Sequence, residues 1–136
     1  MLDTNVALAL FAFADPTCKS LAVAVRERRL QAVASVATRD EWLCVLWRDA
    51  LPFEPATRLA AAAAFDTQVL DAYTAGTDRS AALPHCRDPD DQIFLELARD
   101  AGCAVLFSRD RELLKLSRRC MRVAGFSVCL PEEYRR

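Results

Sequence analysis

The chain carries one histidine, His85, and that scarcity removes a large part of enzyme chemistry at the outset. A lone imidazole cannot supply the paired acid and base of histidine-driven catalysis, and it leaves a structural zinc site short of nitrogen ligands. The six cysteines (Cys18, Cys44, Cys86, Cys103, Cys120 and Cys129) include no Cys-x-x-Cys pair, so they read as reduced thiols filling small core positions. No stretch reaches the length of about 18 uninterrupted apolar residues expected of a membrane span. Met1-Leu2-Asp3 also places a carboxylate where a secretory signal would carry positive charge, and the chain reads as cytoplasmic. A formal net charge of -1 and a pI near 5.8 exclude a bulk basic field. Internal repeats and low-complexity linkers are absent as well.

What is present describes one domain over residues 1–136, with 53% hydrophobic content able to build a substantial core. Sixteen of the 18 basic residues are arginine, gathered in part at Arg26, Arg28 and Arg29 and again at Arg109, Arg111, Arg118, Arg119 and Arg122. Arginine forks onto phosphate with two parallel hydrogen bonds, which suits a backbone-binding rim. The plainer alternative is a genome that writes arginine for lysine and leaves the charges solvated.

Read in order, Met1-Leu2-Asp3 ends a very short first strand, and Thr4-Asn5 supplies cap chemistry for the apolar run 6–13. Asp15-Pro16-Thr17 breaks that run. Residues 21–29 predict a second helix, followed by a short strand around 31–36. Thr38 can cap a third helix running through Glu41 and Trp42 to about Arg48, and prolines mark 51–55 as a loop. The alanine-rich stretch 56–73 predicts a long helix, ended by Ala75-Gly76-Thr77-Asp78. Residues 77–87 read as an irregular connector with a short strand around 81–83. Asp88-Pro89-Asp90-Asp91 opens a helix with Ile93, Phe94, Leu97 and Ala98 on one buried face. Residues 103–107 are short and continuously apolar, as a central parallel strand requires. After Ser108-Arg109-Asp110 come a helix through Leu113, Leu114 and Leu116, a last strand over 126–130 and a terminal helical turn over 131–134. The alternation predicts an α/β fold, a three-layer sandwich in which helices wrap a small central parallel sheet.

Acidic residues stand out at four separated places: Asp3, Glu41, the Asp88-Pro89-Asp90-Asp91 cluster and Asp110. Three of the four lie where an apolar segment gives way to a polar one, the edge at which α/β domains gather side chains. If they meet, they form a cage of hard oxygen ligands suited to Mg²⁺ or Mn²⁺. Each also has a plainer use. Asp3 and Asp110 can cap the helices that follow them, Glu41 can pair with Arg48 along its helix, and Asp88 can cap a helix with Pro89 in first position. Asp91, one residue before the apolar stripe, is the ligand candidate of its cluster, and the positive helix end is expected to keep it ionised.

Four motifs then carry a family resemblance. Leu2-Asp3-Thr4-Asn5-Val6, Glu41-Trp42-x-x-Val45-Leu46-x-Arg48, Cys86-Arg87-Asp88-Pro89-Asp90-Asp91-x-x-Phe94-Leu95-x-Leu97-Ala98 and Ser108-Arg109-Asp110-x-x-Leu113-Leu114 resemble, in order and spacing, the PIN-domain nucleases. The likeness covers nearly the whole chain and is closest to the toxins of type II toxin–antitoxin systems. It implies a ribonuclease that uses Mg²⁺ or Mn²⁺, with the catalytic, metal-holding quartet at Asp3, Glu41, Asp91 and Asp110. Asn5, Ser108 and Asp88 would support it, and Arg87, Arg109 and Arg111 would contact RNA. An antitoxin partner and a homodimer are implied too. The antitoxin would lay a basic side chain into the acidic pocket and an apolar helix near Phe11, Phe13, Trp42 and Trp47, although these aromatics read equally as core. Two alternatives remain: an inactive PIN-like scaffold, and a housekeeping RNA-processing nuclease without an antitoxin. A haloacid-dehalogenase-type phosphatase is disfavoured because Asn5 stands where it needs a second aspartate. A receiver domain is disfavoured because the only lysines are Lys19 and Lys115.

With His85 alone, cleavage through a 2′,3′-cyclic phosphate has no acid–base pair to drive it. RNA products are expected to carry 5′-phosphate and 3′-hydroxyl ends, which end-specific ligation would read, and cyclic phosphate ends would refute the expectation.

Overall fold

The structure, a computed structural model, describes residues 1–71 and 81–135. Asp3 has extended backbone and accepts the Val6 N–H at 2.7 Å, so the chain turns directly into α1 (Thr4–Phe11). Asp15 caps a 3₁₀ turn (Pro16–Cys18) that leads into α2 (Lys19–Arg26), whose Leu21, Ala24 and Val25 are buried. After β1 (Ala32–Ala34), the cap of α3 (Val36–Leu46) is Ser35 and not Thr38. Ser35 and Thr38 cap one another reciprocally, with Thr38 in the position usually held by Glu or Gln.

The alanine-rich helix is shorter than its composition predicts. α4 (Pro55–Gln68) stops because the next residues form β2 (Val69–Asp71), paired in parallel with β1 in the register Ala32↔Val69, Val33↔Leu70 and Ala34↔Asp71. Tertiary pairing outweighs local propensity here. The expected helix end at 72–78 and the start of the connector lie outside the described residues. No strand forms at 81–83, because side chains take up the neighbouring backbone groups: Cys86 N–H donates to Gln92 Oε1 at 2.8 Å, Gln92 Nε2 to the Pro84 carbonyl at 3.3 Å and Arg99 Nη1 to the Ala81 carbonyl at 3.2 Å.

Asp88 caps a 3₁₀ turn (Pro89–Asp91) that runs into α5 (Gln92–Asp100). β3 (Val105–Phe107) pairs in parallel with β4 (Ser127–Cys129), and Leu2 bridges Phe107 in the same sense. The helix expected after Asp110 is two helices, α6 (Arg111–Lys115) and α7 (Ser117–Ala124), the latter ended by Gly125 at φ 75. A 3₁₀ turn (Pro131–Glu133) follows β4. The result is a PIN-like α/β fold, its parallel strands in two short pairs and not one continuous ladder.

Three apolar clusters hold these parts together. One surrounds Phe94, Leu95, Leu106, Leu113 and Phe126, a second Leu8, Trp42, Leu46 and Phe65, and a third Leu2, Val6, Leu21, Val25 and Phe107. Trp42 stacks on Phe65 at 4.4 Å between centroids, with Phe11 edge-on to both. Phe13 and Trp47 are about half exposed, so the aromatics divide between core and surface. All six cysteines are free thiols, with Cys18 and Cys120 buried. Among the described residues no single helix is long and apolar enough to cross a membrane.

Arg58 organises the loop between α3 and α4. Its buried guanidinium donates to the carbonyls of Phe53 at 3.0 Å, Arg48 at 3.1 Å and Leu51 at 2.9 Å, and also to that of Leu46, while sitting over the Trp47 ring. Arg58→Met strands those carbonyls, and urea unfolding is expected to show a loss of about 2–4 kcal/mol. A change within about 0.5 kcal/mol, the range of ordinary surface substitutions, would show that the guanidinium does not anchor the loop.

Candidate active site

Backbone pairing brings the distant acidic motifs together. Asp3 N–H donates to the Phe107 carbonyl and Phe107 N–H to that of Met1, each at 3.0 Å, so the residue after β3 stands beside Asp3. That residue, Ser108, is fully buried. Its Oγ accepts the Asp110 N–H at 3.0 Å. Asp110 in turn caps α6 by accepting the Glu112 N–H at 2.6 Å. From α3, Glu41 reaches the same neighbourhood, where Thr4 Oγ1 donates to its Oε1 at 2.7 Å. Asp91 stands at the start of α5 without a capping hydrogen bond from its side chain. Asp91 and Asp110 line an open cleft of about 370 Å³ with Arg87, Asp88, Pro89 and Glu112.

The carboxylates feel one another. Burial raises the pKa of Asp3, and the charges of Asp110 and Glu41 add to the rise against hydrogen bonds from Ser108 and Val6. Asp91 is pushed up to about 6, first by burial and then by the charges of Asp110, Asp88, Asp3 and Glu41. Partial burial and four acidic neighbours outweigh the dipole of α5, yet at about 6 the carboxyl is still mostly ionised near pH 7, as a metal ligand needs. Among the described residues none of Asp3, Glu41, Asp91 and Asp110 is in an ion pair. The Cys86 thiol is raised to about 11 by burial and by Asp91, Asp110 and Asp88.

The quartet is gathered electrostatically but does not close into a cage. Among the described residues no three Asp, Glu, His or Cys groups are close enough to grip a metal ion. The reason lies in the caps. Asp3 and Asp110 each give one oxygen to a helix N-terminus, and Glu41 gives one to Thr4, so three of the four carboxylates are partly committed to the protein. The donor set still fits a hard dication, because Mg²⁺ takes oxygen ligands, retains several waters and binds through as few as one or two carboxylates.

Other site expectations fare unevenly. Asp88 is a cap, accepting the Asp90 N–H at 3.0 Å. Asn5 is exposed on the first turn of α1. Glu112 lines the cleft, with Lys115 Nζ 2.6 Å from its Oε1. Arg87 and Arg111 are exposed. Arg109 is not an RNA-facing cation: its guanidinium binds Asp15 Oδ2 at 2.9 Å, Thr17 Oγ1 at 2.7 Å and the Glu132 carboxylate, turned toward the α1–α2 junction. Thr4 is legible in sequence only as cap chemistry, and nothing local to it announces a partner 37 residues away.

The strand ends, the helices starting at Asp3, Asp91 and Asp110, and the carboxylates between them define a small α/β domain with an acidic centre. A family model described as PIN domain matches residues 1–112, and the chain belongs to that family. PIN domains are generally nucleases and generally use divalent metal ions. No curated protein and no solved structure was found to match.

Because its folded pKa lies above that of a free carboxyl, ionising Asp91 opposes folding, and the penalty grows as pH rises from about 4 through 6. Discounted for solvent screening, Asp91→Asn is expected to raise Tm by about 2–4 °C at pH 7.5 in EDTA, with the gain fading at pH 4. Calorimetry at both pH values checks this, and a gain independent of pH would contradict it.

Proposed function

We propose that this PIN domain is a divalent-metal-dependent endoribonuclease acting as the toxin of a toxin–antitoxin pair. One observation carries the catalytic part: Asp3 and Asp91 are raised in proton affinity by burial and by the charges of Asp110 and Glu41, and among the described residues none of the four is in an ion pair. A site that only supported the fold would pair such charges. Asp3, Asp91 and Asp110 would hold Mg²⁺ or Mn²⁺, with Glu41 completing the set. Bound there, the ion would activate water and offset charge on the leaving 3′ oxygen.

The chain's own residues prepare the place. Ser108, which follows β3 where Asp3 pairs with it, holds the Asp110 backbone through its Oγ. Thr4 holds one Glu41 oxygen and leaves the other unclaimed by any hydrogen bond among the described residues. Arg87 on the cleft wall, with Arg111 exposed beside it, is suited to flanking phosphates. The toxin reading rests on motif resemblance, and it brings an antitoxin, a homodimer and an RNA substrate with it. Phe13 and Trp47, half exposed, suit an antitoxin helix.

Incubation of the purified chain with structured and unstructured RNA in Mg²⁺, Mn²⁺ or EDTA tests the reading. Asp3→Asn and Asp91→Asn are each expected to slow cleavage about 100-fold or more, as removal of several kcal/mol of charge stabilisation requires. Cleavage that survives EDTA or both substitutions would end the proposal. Growth arrest on expression, relieved by the product of a neighbouring reading frame, is the expected sign of a toxin.

A further inference from the structure

α7 buries one side and charges the other. Cys120 is buried in the cluster beneath β3 and β4, and Ala124 packs against the same cluster. At about 100° per residue, Arg118, Arg119 and Arg122 fall within about 100° of one another on the far side. All three are exposed. Among the described residues none of them takes part in an ion pair. Between Asp110 and Leu130 the only acidic residue is Glu112, already held by Lys115.

Several other arginines are committed. Arg28 reaches the Thr67 carbonyl, Arg29 pairs with Glu27, Arg39 with Asp66, Arg99 with Asp100 and Arg109 with Asp15. The α7 cations also follow the cleft closely along the chain. Asp110 caps α6, Glu112 lines the cleft, and only Leu116 separates α6 from α7, so Arg118 follows Arg111 by seven residues, about 10.5 Å at the rise of a helix. An acidic cleft repels a polyanion, and a substrate that enters it needs a positive hold nearby.

Resting on the nuclease reading, we infer that the outer face of α7, through Arg118, Arg119 and Arg122, binds the phosphate backbone of single-stranded RNA leading away from the cleft. These arginines read no bases, since arginine on phosphate positions a strand without reporting its sequence. The face therefore governs affinity for RNA and not the chemical step.

The test is fluorescence anisotropy of a labelled unstructured RNA with the full chain, carrying Asp91→Asn and kept in EDTA to prevent cleavage. Arg118→Ser/Arg119→Ser/Arg122→Ser is expected to weaken binding about tenfold or more at low salt and to reduce the slope of log affinity against log salt by about 2, near 0.7 for each phosphate no longer neutralised. A control with the same charge change, Arg26→Ser/Arg28→Asn/Arg29→Ser, is expected to keep both values. With Asp91 and metal restored, the α7 triple variant should raise KM and leave kcat in place. An α7 variant that binds RNA as tightly as its parent, with the same salt slope, overturns the inference. If the parent binds RNA but no variant of the chain cleaves it with either metal, the nuclease reading fails while the face stands. A parent that binds no RNA removes both.

Discussion

Two backbone hydrogen bonds, from Asp3 N–H to the Phe107 carbonyl and from Phe107 N–H to that of Met1, decide where the acidic centre stands. They set the register of the first residues against β3. That register puts Asp3 beside Ser108, whose Oγ accepts the Asp110 N–H. Because side chains alternate along a strand, a slip of one residue would turn Asp3 to the opposite face and dissolve the arrangement. The third apolar cluster opposes that slip, since Leu2, Val6 and Phe107 pack in it together.

The same arrangement sets stability against chemistry. Burying Asp3 and crowding Asp91 among carboxylates costs folding free energy, which appears as raised proton affinity. Three helices begin at these acids, and the partial positive charge of their N-termini returns part of the cost. For Asp91 it does not return all of it. A domain that keeps such a cluster unpaired holds a site below its stability optimum, as functional sites commonly are.

Features governed by neighbouring residues are legible in the sequence: the caps at Asp3, Asp88 and Asp110, the buried stripe of α5 and the apolar strand β3. Features governed by distant partners are not. β2 interrupts an alanine-rich helix because β1, more than thirty residues earlier, offers it a ladder. Thr4 holds Glu41, and Arg109 is claimed by Asp15 and Glu132, through contacts that leave no periodic trace. The raised proton affinity of Asp91 escapes a sequence reading because the helix end is visible in sequence, whereas the carboxylates that converge on it from other segments are not.

The matched family segment stops at Glu112, yet the architecture around the acidic centre does not. Beyond that point lie β4, whose Cys129 carbonyl accepts the Ser108 N–H, and Glu132, which secures Arg109 between Ser108 and Asp110. Excising the domain at its recognised boundary would remove the strand paired with β3 and the carbonyl that accepts the Ser108 N–H. The contacts that surround the acidic centre therefore run on as far as the turn at Glu132.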